Sequence, residues 1–270
     1  MFSLGRSDLV KITDDGVEFR SHWDGSKHLF TPESAMEWQW RLGSDIHIAF
    51  DDCTPYPITH DEARKSMERT HRWAKRSLAA SQKSKVESLK SGKRYQALYG
   101  SVQGSVYEDL RKESAKFIAS LDFDGIAIGG MAVGESKKEM IHVLDWVTPL
   151  LSEDKPRHLL GVGEIDDIFS LVEHGVDTFD CVQPTRLARM GRLLGKKEID
   201  ITKRIYAEDG RPIDPKCRCY TCTHFSRGYI HHLFHVKELL AYRLATIHNL
   251  WFIHRIMDDI RQSVACGTLL

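Results

Sequence analysis

The chain has 270 residues, of which 41% are hydrophobic and 28% charged, a composition typical of globular proteins with a substantial core. Its 38 basic residues balance its 38 acidic residues, so net charge does not predict binding to nucleic acid. No apolar run approaches the roughly 20 residues that span a bilayer, the N-terminus lacks a signal-peptide pattern, and six cysteines are too few for a disulfide scaffold. We therefore expect a soluble, reduced, cytoplasmic protein without a membrane partner.

Short apolar runs alternate with longer amphipathic stretches through the middle of the chain. The runs that we predict to be strands are Asp45–Phe50, Tyr95–Val102, Phe123–Ile128, Arg157–Leu160 and Val176–Phe179. Thr31, Thr59 and Ser136 are predicted helix starts, and Gly43 and Gly175 are predicted helix ends. Strands that alternate with helices pair in parallel through helical crossovers. The pattern therefore predicts an α/β fold.

Polar residues and glycines come directly after these five runs. They are Asp51, Gln103, Gly129, Gly130, Gly161 and Asp180. In a (β/α) barrel the active site forms at the carboxyl ends of the strands, and carboxylates, a carboxamide and glycines suit such a site. Acids and glycines also end strands simply because they form turns. Their occurrence after all five runs favours a site.

Three cysteines, Cys217, Cys219 and Cys222, form a C-x-C-x-x-C cluster. Closely spaced thiolates in a reduced protein most often bind zinc, which takes four nitrogen or sulfur ligands at a structural site. The fourth ligand is expected to be a downstream histidine, and spacing alone does not choose among the candidates. These are His231, His232, His235, His248 and His254. The alternative is three reduced cysteines without a metal.

A local basic segment, residues 186–204, follows the last predicted strand. Seven basic residues stand there against Glu198 and Asp200, in a chain whose charges otherwise cancel. Arginine and lysine beside a carboxylate site suit a polyphosphate substrate such as RNA. The alternative is a solvated face, which is the usual meaning of a charge run.

Six motifs occur together and in order along the chain. They are F-D-D-C-T-P-Y-P (50–57), V-Q-G (102–104), G-G-M-A-V-G-E (129–135), G-V-G (161–163), F-D-C-V-Q-P-T-R (179–186) and the cysteine cluster. Over essentially the whole chain they resemble the bacterial tRNA-guanine transglycosylases, also called queuine tRNA-ribosyltransferases. The resemblance implies exchange of the wobble guanine of tRNAs with G-U-N anticodons for 7-aminomethyl-7-deazaguanine, a step of queuosine biosynthesis.

The resemblance also assigns roles to individual residues. It implies that Asp180 is the nucleophile that attacks the anomeric carbon of the ribose, as carboxylates do in retaining glycosidases. The residues implied to bind the base are Asp51, Gln103, Gly130, Met131, Glu135 and Leu160. The residues implied to contact tRNA are Gly161, Val162, Gly163, Glu164, Ile165, Asp166 and Asp167, and Thr185, Arg186, Leu187, Ala188 and Arg189.

For the fold, the resemblance implies a TIM-type (β/α)8 barrel with a zinc-binding subdomain near the C-terminus. The barrel with the base-exchange site would occupy residues 1–206, and the zinc-binding subdomain with the C-terminal helices residues 207–270. One structural Zn²⁺ per chain would be held by Cys217, Cys219, Cys222 and His248. Family members commonly dimerise, so the resemblance also implies a homodimer.

Two features depart from the family pattern. Leu160 stands where the family usually has a methionine that packs on the base, and leucine offers a similar apolar contact. Family members also have a D-S-G-G-(F/Y)-Q segment, which carries the general acid/base aspartate, immediately before the stretch that matches Phe2–Gly5. The chain begins one residue ahead of that stretch. We therefore expect an N-terminally incomplete barrel that is poorly soluble or inactive on its own.

Two other functions stay open on the sequence. A truncated or non-catalytic tRNA-binding homologue would explain the basic segment without the general base. A zinc-bearing barrel glycosidase that acts on sugars would explain the carboxylates but not the basic segment.

Overall fold

The computed structural model of the protein describes residues 9–90 and 94–268, and of residues 83–90 only the helical backbone. Phe2–Gly5, on which the expectation of an incomplete barrel depends, lies outside the described residues. The described residues form two compact units. The first comprises the chain up to Val162 with His174–Asp180, and the second comprises Gly163–Glu173 with the chain from Cys181 on. Compactness assigns no function to either unit, so the predicted functional division after residue 206 stays a prediction.

The first unit begins with a small antiparallel sheet and a helix that the sequence marks clearly. The sheet has the order β1 (Val10–Ile12), β2 (Val17–Arg20) and β3 (Lys27–Phe30). Helix α1 (Pro32–Leu42) starts at Thr31, whose side chain accepts a hydrogen bond from the Ser34 amide. It ends at Gly43, where φ is 74°. Both predicted ends of this helix are confirmed.

A five-stranded parallel sheet forms the centre of the first unit. Its strands are β4 (Ile46–Ile48), β5 (Ala97–Val102), β6 (Gly125–Ile128), β7 (Arg157–Leu159) and β8 (Thr178–Phe179). They pair in chain order, each strand parallel to the next. Strand β6 is buried along its whole length and β5 nearly so, as is typical of strands in parallel sheets. The predicted α/β class and parallel pairing are confirmed.

Three longer helices connect and cover these strands: α2 (His60–Lys90), α3 (Glu108–Ala119) and α4 (Lys137–Val147). Helix α4 starts at the predicted Ser136, with a capping box to Glu139. Helix α2 buries Met67, Thr70, Trp73 and further residues at helical spacing. Its Trp73 indole donates to the Asp14 carbonyl oxygen over 2.7 Å, which fixes the β1–β2 turn against the helix.

Side chains of two helices occupy the outer edge of β4. The Ile48 amide donates to the Gln39 Oε1 of α1, and the Gln39 Nε2 donates to the Ile48 carbonyl oxygen, both over 3.0 Å. Two residues further along the chain, the Phe50 amide donates to the Ser77 Oγ of α2 over 3.1 Å. The Gln39 carboxamide thus makes the two hydrogen bonds that a neighbouring strand would make to Ile48.

The second unit is mainly helical. Its elements are α5 (Ile165–Glu173), α6 (Gln183–Arg189), the antiparallel pair β9 (Arg192–Leu193) and β10 (Ile199–Asp200), α7 (Tyr220–His224), α8 (Arg227–His235) and α9 (Leu239–Ala265). The long helix α9 packs against α6, α7 and α8. The buried Asn249 carboxamide of α9 accepts from the Leu194 amide and donates to the carbonyl oxygens of Pro184 and Arg192. Among the helices described, none is long and apolar enough to cross a membrane.

The Gln39→Ala change should lower the free energy of unfolding by about 1–3 kcal/mol. The amide and carbonyl groups of Ile48, at the outer edge of β4, would lose their hydrogen-bond partners. Glu37→Ala on the exposed face of the same helix is the matched control and should cost about 0.5 kcal/mol or less. Urea unfolding followed by tryptophan fluorescence compares the two. Equal effects of both changes would show that Gln39 does not stabilise the edge of β4.

Candidate active site and metal centre

The polar residues that follow the five parallel strands lie at one edge of the sheet. Asp51, Gln103, Gly130, Gly161 and Asp180 come after β4, β5, β6, β7 and β8 in that order. Because the strands are parallel, their carboxyl ends all reach this edge. The fold therefore brings residues that are far apart in the sequence to a common edge.

Asp51 and Gln103 are in direct contact there. The Gln103 Nε2 donates to Asp51 Oδ2 over 2.7 Å, and the Gln103 side chain is buried. The contact requires glycine at the end of β6, since a Cβ on Gly129 would lie 2.5 Å from the Gln103 Nε2. Gly130 has φ 65°, a conformation that favours glycine. The two glycines let the backbone approach the carboxamide closely.

The carboxylate of Asp51 has no cationic partner among the described residues, whereas that of Asp52 has one. Asp52 Oδ2 lies 2.5 Å from the Arg69 Nη1 of α2. Burial raises the pKa of Asp51, and the hydrogen bond from Gln103 opposes the rise. Further N–H donors from a ligand would favour the ionised carboxylate. Asp51 is therefore suited to bind a group that presents N–H donors.

The loop after β6 carries a second carboxylate, that of Glu135, and one of its oxygens lacks a hydrogen-bond donor among the described residues. The Val133 amide donates to Glu135 Oε2 over 3.1 Å. The other oxygen, Oε1, is buried and has no hydrogen-bond partner among the described residues. Buried acceptors are nearly always satisfied in working proteins, so this oxygen is a place for a donor from a ligand. Met131 of the same loop is buried.

Asp180 is of a different kind, because its carboxylate is exposed. Its side chain has 58% of its surface exposed, and Oδ1 accepts a hydrogen bond from the Gly161 amide over 2.8 Å. No hydrogen bond joins it to the Asp51–Gln103 pair within the described part of the chain. Leu160, directly before Gly161, is half-buried. The arrangement presents an accessible, oriented carboxylate, which is what a nucleophile needs.

The residues predicted to contact RNA are distributed over both units. Gly161 and Val162 end the first unit, Gly163–Asp167 lead into and begin α5, and Thr185–Arg189 belong to α6. In α6 the Arg186 and Arg189 side chains are exposed, whereas Ala188 is buried in the core of the second unit. Helix α6 therefore offers two guanidinium groups to solvent and packs its small residue inward.

Cys217, Cys219, Cys222 and His248 form a cluster in the second unit. Their ligand atoms all lie within 4.8 Å of one another. The His248 Nδ1 is 3.8, 3.7 and 3.3 Å from the sulfur atoms of Cys217, Cys219 and Cys222. A tetrahedral ion with bonds of about 2.3 Å to sulfur and 2.0–2.1 Å to nitrogen separates S and N by about 3.5 Å. The cluster can therefore hold one metal ion.

The surroundings of the cluster prepare its ligands. The His248 Nε2 donates to the Leu194 carbonyl oxygen over 2.7 Å, which leaves Nδ1 as the ligand atom. A hydrogen bond from Cys222 lowers the pKa of Cys219 below the usual range of a thiol, which favours the thiolate that a metal ligand requires. Of the histidines that the spacing left open, His231 instead bonds the Ile201 carbonyl oxygen. His232, His235 and His254 are exposed.

The buried Arg111 of α3 is a residue that the sequence did not identify. Its side chain is fully buried, and no hydrogen bond or ion pair joins it to a carboxylate among the described residues. Its backbone acceptors are the carbonyl oxygens of Ser105 (2.5 Å), Val102 (3.2 Å), Gly129 (2.8 Å) and Gly130 (3.2 Å). Burial lowers the pKa of Arg111 to about 10, so it stays charged at neutral pH.

Arg111 also determines where the Gly130 amide points. In a trans peptide the C=O and N–H groups lie on opposite sides. The Gly129 carbonyl points at Arg111, so the Gly130 N–H points away from it. The guanidinium thus orients a donor at the carboxyl end of β6. Apart from the Met131 sulfur at 3.1 Å, its hydrogen-bond acceptors are backbone atoms, so no residue pattern in the sequence indicates this role.

Comparison with known proteins identifies the family. Residues 1–270 match the family model described as queuine tRNA-ribosyltransferase. The chain belongs to the queuine tRNA-ribosyltransferase family. Proteins of that name from Thermoanaerobacter pseudethanolicus and Caldanaerobacter subterraneus subsp. tengcongensis are 50% and 49% identical to the chain. Both matches extend over 271 residues and cover 100% of this chain and 69% of the relative. One from Herpetosiphon aurantiacus is 50% identical over 265 residues, covering 98% of this chain and 64% of the relative.

The family match confirms the resemblance drawn from the motifs. A member of the queuine tRNA-ribosyltransferase family is a pentosyltransferase, so the chain is an enzyme. The match extends through both compact units, so the sheet edge and the cysteine cluster are both part of the family sequence.

Arg111→Met should lower the free energy of unfolding by at least 3 kcal/mol, since several buried carbonyl oxygens lose their donor at roughly 1–3 kcal/mol each. Lys112→Met is the matched control on the same helix: it removes an exposed pair with Glu108 and should cost about 0.5 kcal/mol. Tryptophan fluorescence in urea reports mainly on the first unit, which holds five of the six tryptophans. A small effect of Arg111→Met would contradict the role given to Arg111.

Proposed function

We propose that the protein exchanges the wobble guanine of tRNAs with G-U-N anticodons for 7-aminomethyl-7-deazaguanine, through a covalent ribosyl ester of Asp180. The names of its relatives support tRNA as the substrate and a queuine-type base. The observation that carries the proposal is the sheet edge. There a buried carboxylate–carboxamide pair follows β4 and β5, and an exposed, oriented carboxylate follows β8.

The base would be bound by groups of complementary polarity. Asp51 would accept hydrogen bonds from the amino group and the ring N–H of a guanine-like base. Gln103 and the Gly130 amide would donate to its carbonyl oxygen, and Leu160 would pack on its ring. The unpartnered Glu135 Oε1 and the Met131 carbonyl oxygen would receive the ammonium group of the aminomethyl substituent. The pairing of a charged donor with a buried carboxylate favours the deazaguanine over guanine.

The chemistry would follow the double displacement of retaining glycosidases. An oxygen of Asp180 forms a bond to C1′ of the ribose, while the C1′–N9 bond breaks and its electron pair leaves with guanine. The incoming base then attacks C1′ through its ring nitrogen, and the electrons of the ester bond return to Asp180. The proton transfers are assigned, by resemblance, to the aspartate of the family's D-S-G-G segment.

The tRNA would be positioned by residues 161–167 and 185–189, with the exposed guanidinium groups of Arg186 and Arg189 on phosphates. We propose that the five parallel strands belong to the (β/α)8 barrel of the family, and that the enzyme is a homodimer.

We also propose that the metal is zinc with a structural role. Three thiolates and one imidazole are a common donor set for structural zinc, and four protein ligands leave no position for a substrate. The ion would join the loop that carries Cys217 and Cys219 to helix α9 through His248.

Asp180→Asn should abolish exchange, by roughly 10³-fold or more, because the carboxamide is not a nucleophile. Each protein is incubated with tRNA and labelled guanine, and the incorporation of label into tRNA is measured. The protein–tRNA adduct that resists denaturation is measured in parallel. Asp154→Asn, an exposed loop carboxylate, is the control and should behave as the unaltered protein. The affinity of Asp180→Asn for tRNA should be unchanged. An unaltered protein that binds tRNA without forming an adduct would instead be a non-catalytic homologue.

Cys219→Ser should remove the metal and destabilise the second unit. Elemental analysis of the purified protein should find about one zinc per chain in the unaltered protein and almost none in the variant. Cys266→Ser is the control, because Cys266 is exposed and outside the cluster. Full retention of zinc by Cys219→Ser would exclude the cluster as the site.

A further inference from the structure

A line of three polar side chains crosses strands β7 and β8 and ends at Asp180. His158 and Thr178 are register partners on the two strands. Asp180 follows Thr178 by two residues, so its side chain lies on the same face. The His158 Nδ1 is 2.9 Å from the Thr178 Oγ1, and its Nε2 is 3.3 Å from Asp180 Oδ1. The imidazole therefore bridges a hydroxyl and the carboxylate.

The chemistry of the three groups settles where the ring protons are. A carboxylate only accepts hydrogen bonds, so the His158 nitrogen that faces Asp180 must carry a proton. A hydroxyl both donates and accepts, so Thr178 can satisfy Nδ1 in either state of the ring. The Nε2–H of His158 thus lies in electrostatic contact with Asp180 Oδ1, at 3.3 Å.

The two oxygens of Asp180 are consequently unequal. Oδ1 accepts a hydrogen bond from the Gly161 amide at 2.8 Å and lies 3.3 Å from the His158 Nε2. Oδ2 receives no hydrogen bond from the described residues. The His158 side chain is only 17% exposed against 58% for Asp180, so the ring lies beneath the carboxylate rather than in front of it. Oδ2 is the oxygen left accessible.

We propose that His158 is a positioning residue for the nucleophile. Together with the Gly161 amide it holds Oδ1, so that Oδ2 is the oxygen that forms the bond to the ribose. This inference rests on the proposed function, since it requires that Asp180 attack C1′. In the ester, Oδ1 is the carbonyl oxygen, and both the Gly161 hydrogen bond and the His158 contact to it weaken. When the incoming base displaces the carboxylate, the electron pair of the C1′–Oδ2 bond returns to Asp180 and both contacts to Oδ1 strengthen again.

Two polar variants separate this role from a structural one. The amide nitrogen of His158→Gln takes the place of Nε2 and keeps the donor to Asp180. That of His158→Asn takes the place of Nδ1, so it keeps the bond to Thr178 and loses the one to Asp180. His142→Asn, on the exposed surface of α4, is the control for replacing a histidine.

The rate of adduct formation is measured in single turnovers with saturating tRNA, and KM for tRNA separately. His158→Asn should slow adduct formation about 10- to 100-fold, as expected for a misplaced reacting group, with KM unchanged. His158→Gln and His142→Asn should react near the unaltered rate.

If His158 served only to join β7 to β8 through Thr178, His158→Gln would be the slow variant, because it loses that contact. His158→Asn would then react at the unaltered rate, and this result would overturn the assignment. Equal rates for all variants would overturn it as well. Failure of the unaltered protein to form any adduct would overturn the proposed function, and this inference with it.

Discussion

A buried positive charge holds the candidate base site together. The Arg111 guanidinium donates to four backbone carbonyl oxygens from the ends of β5 and β6 and from the turn after β5. A charge in the interior is tolerated only when such partners surround it. Gln103 and Gly130 therefore take their positions from a residue that does not itself face the ligand. The sheet brings the polar residues to one edge, and Arg111 orients the peptide groups that follow β6.

The two units depend on different kinds of stabilisation. In the first, β5 and β6 are buried strands of the parallel sheet, and the outer edge of β4 is closed by Gln39 and Ser77. In the second, two-residue strands and short helices surround a small core, in which Cys219 and Cys222 are themselves core residues. A core of that size is commonly reinforced by a metal. These two cysteines thus belong to the core and also to the cluster that can hold a metal ion.

The sequence predicted the parts of the structure that local rules determine. The five strands, the helix starts at Thr31 and Ser136 and the cysteine cluster all follow from periodicity, capping and spacing. It did not predict the short strands of β1–β3 and β9–β10, whose few residues carry no clear alternation. Spacing could not choose His248, because a ligand supplied by a distant helix is defined only by packing.

Arg111 and His158 lay beyond sequence reasoning for a related reason. Arginine in an amphipathic helix normally indicates an exposed surface, and only the tertiary structure shows that backbone carbonyls surround this one. The position of His158 beside Thr178 and Asp180 follows from the register of β7 on β8, which no sequence motif encodes. Residues that act through the backbone, or across a strand pair, are recognised only once the fold is known.

One turn of α9 connects the metal cluster to the basic segment, residues 186–204. The neighbours His248 and Asn249 bind the carbonyl oxygen and the amide of the same residue, Leu194. Asn249 also donates to the carbonyl oxygens of Pro184, in the first turn of α6, and Arg192, which follows the helix. This turn of α9 therefore ties the Cys217–Cys219–Cys222–His248 cluster directly to the backbone of the basic segment. A displacement of His248 would therefore be transmitted through one residue, Leu194, to the strand that carries Arg192.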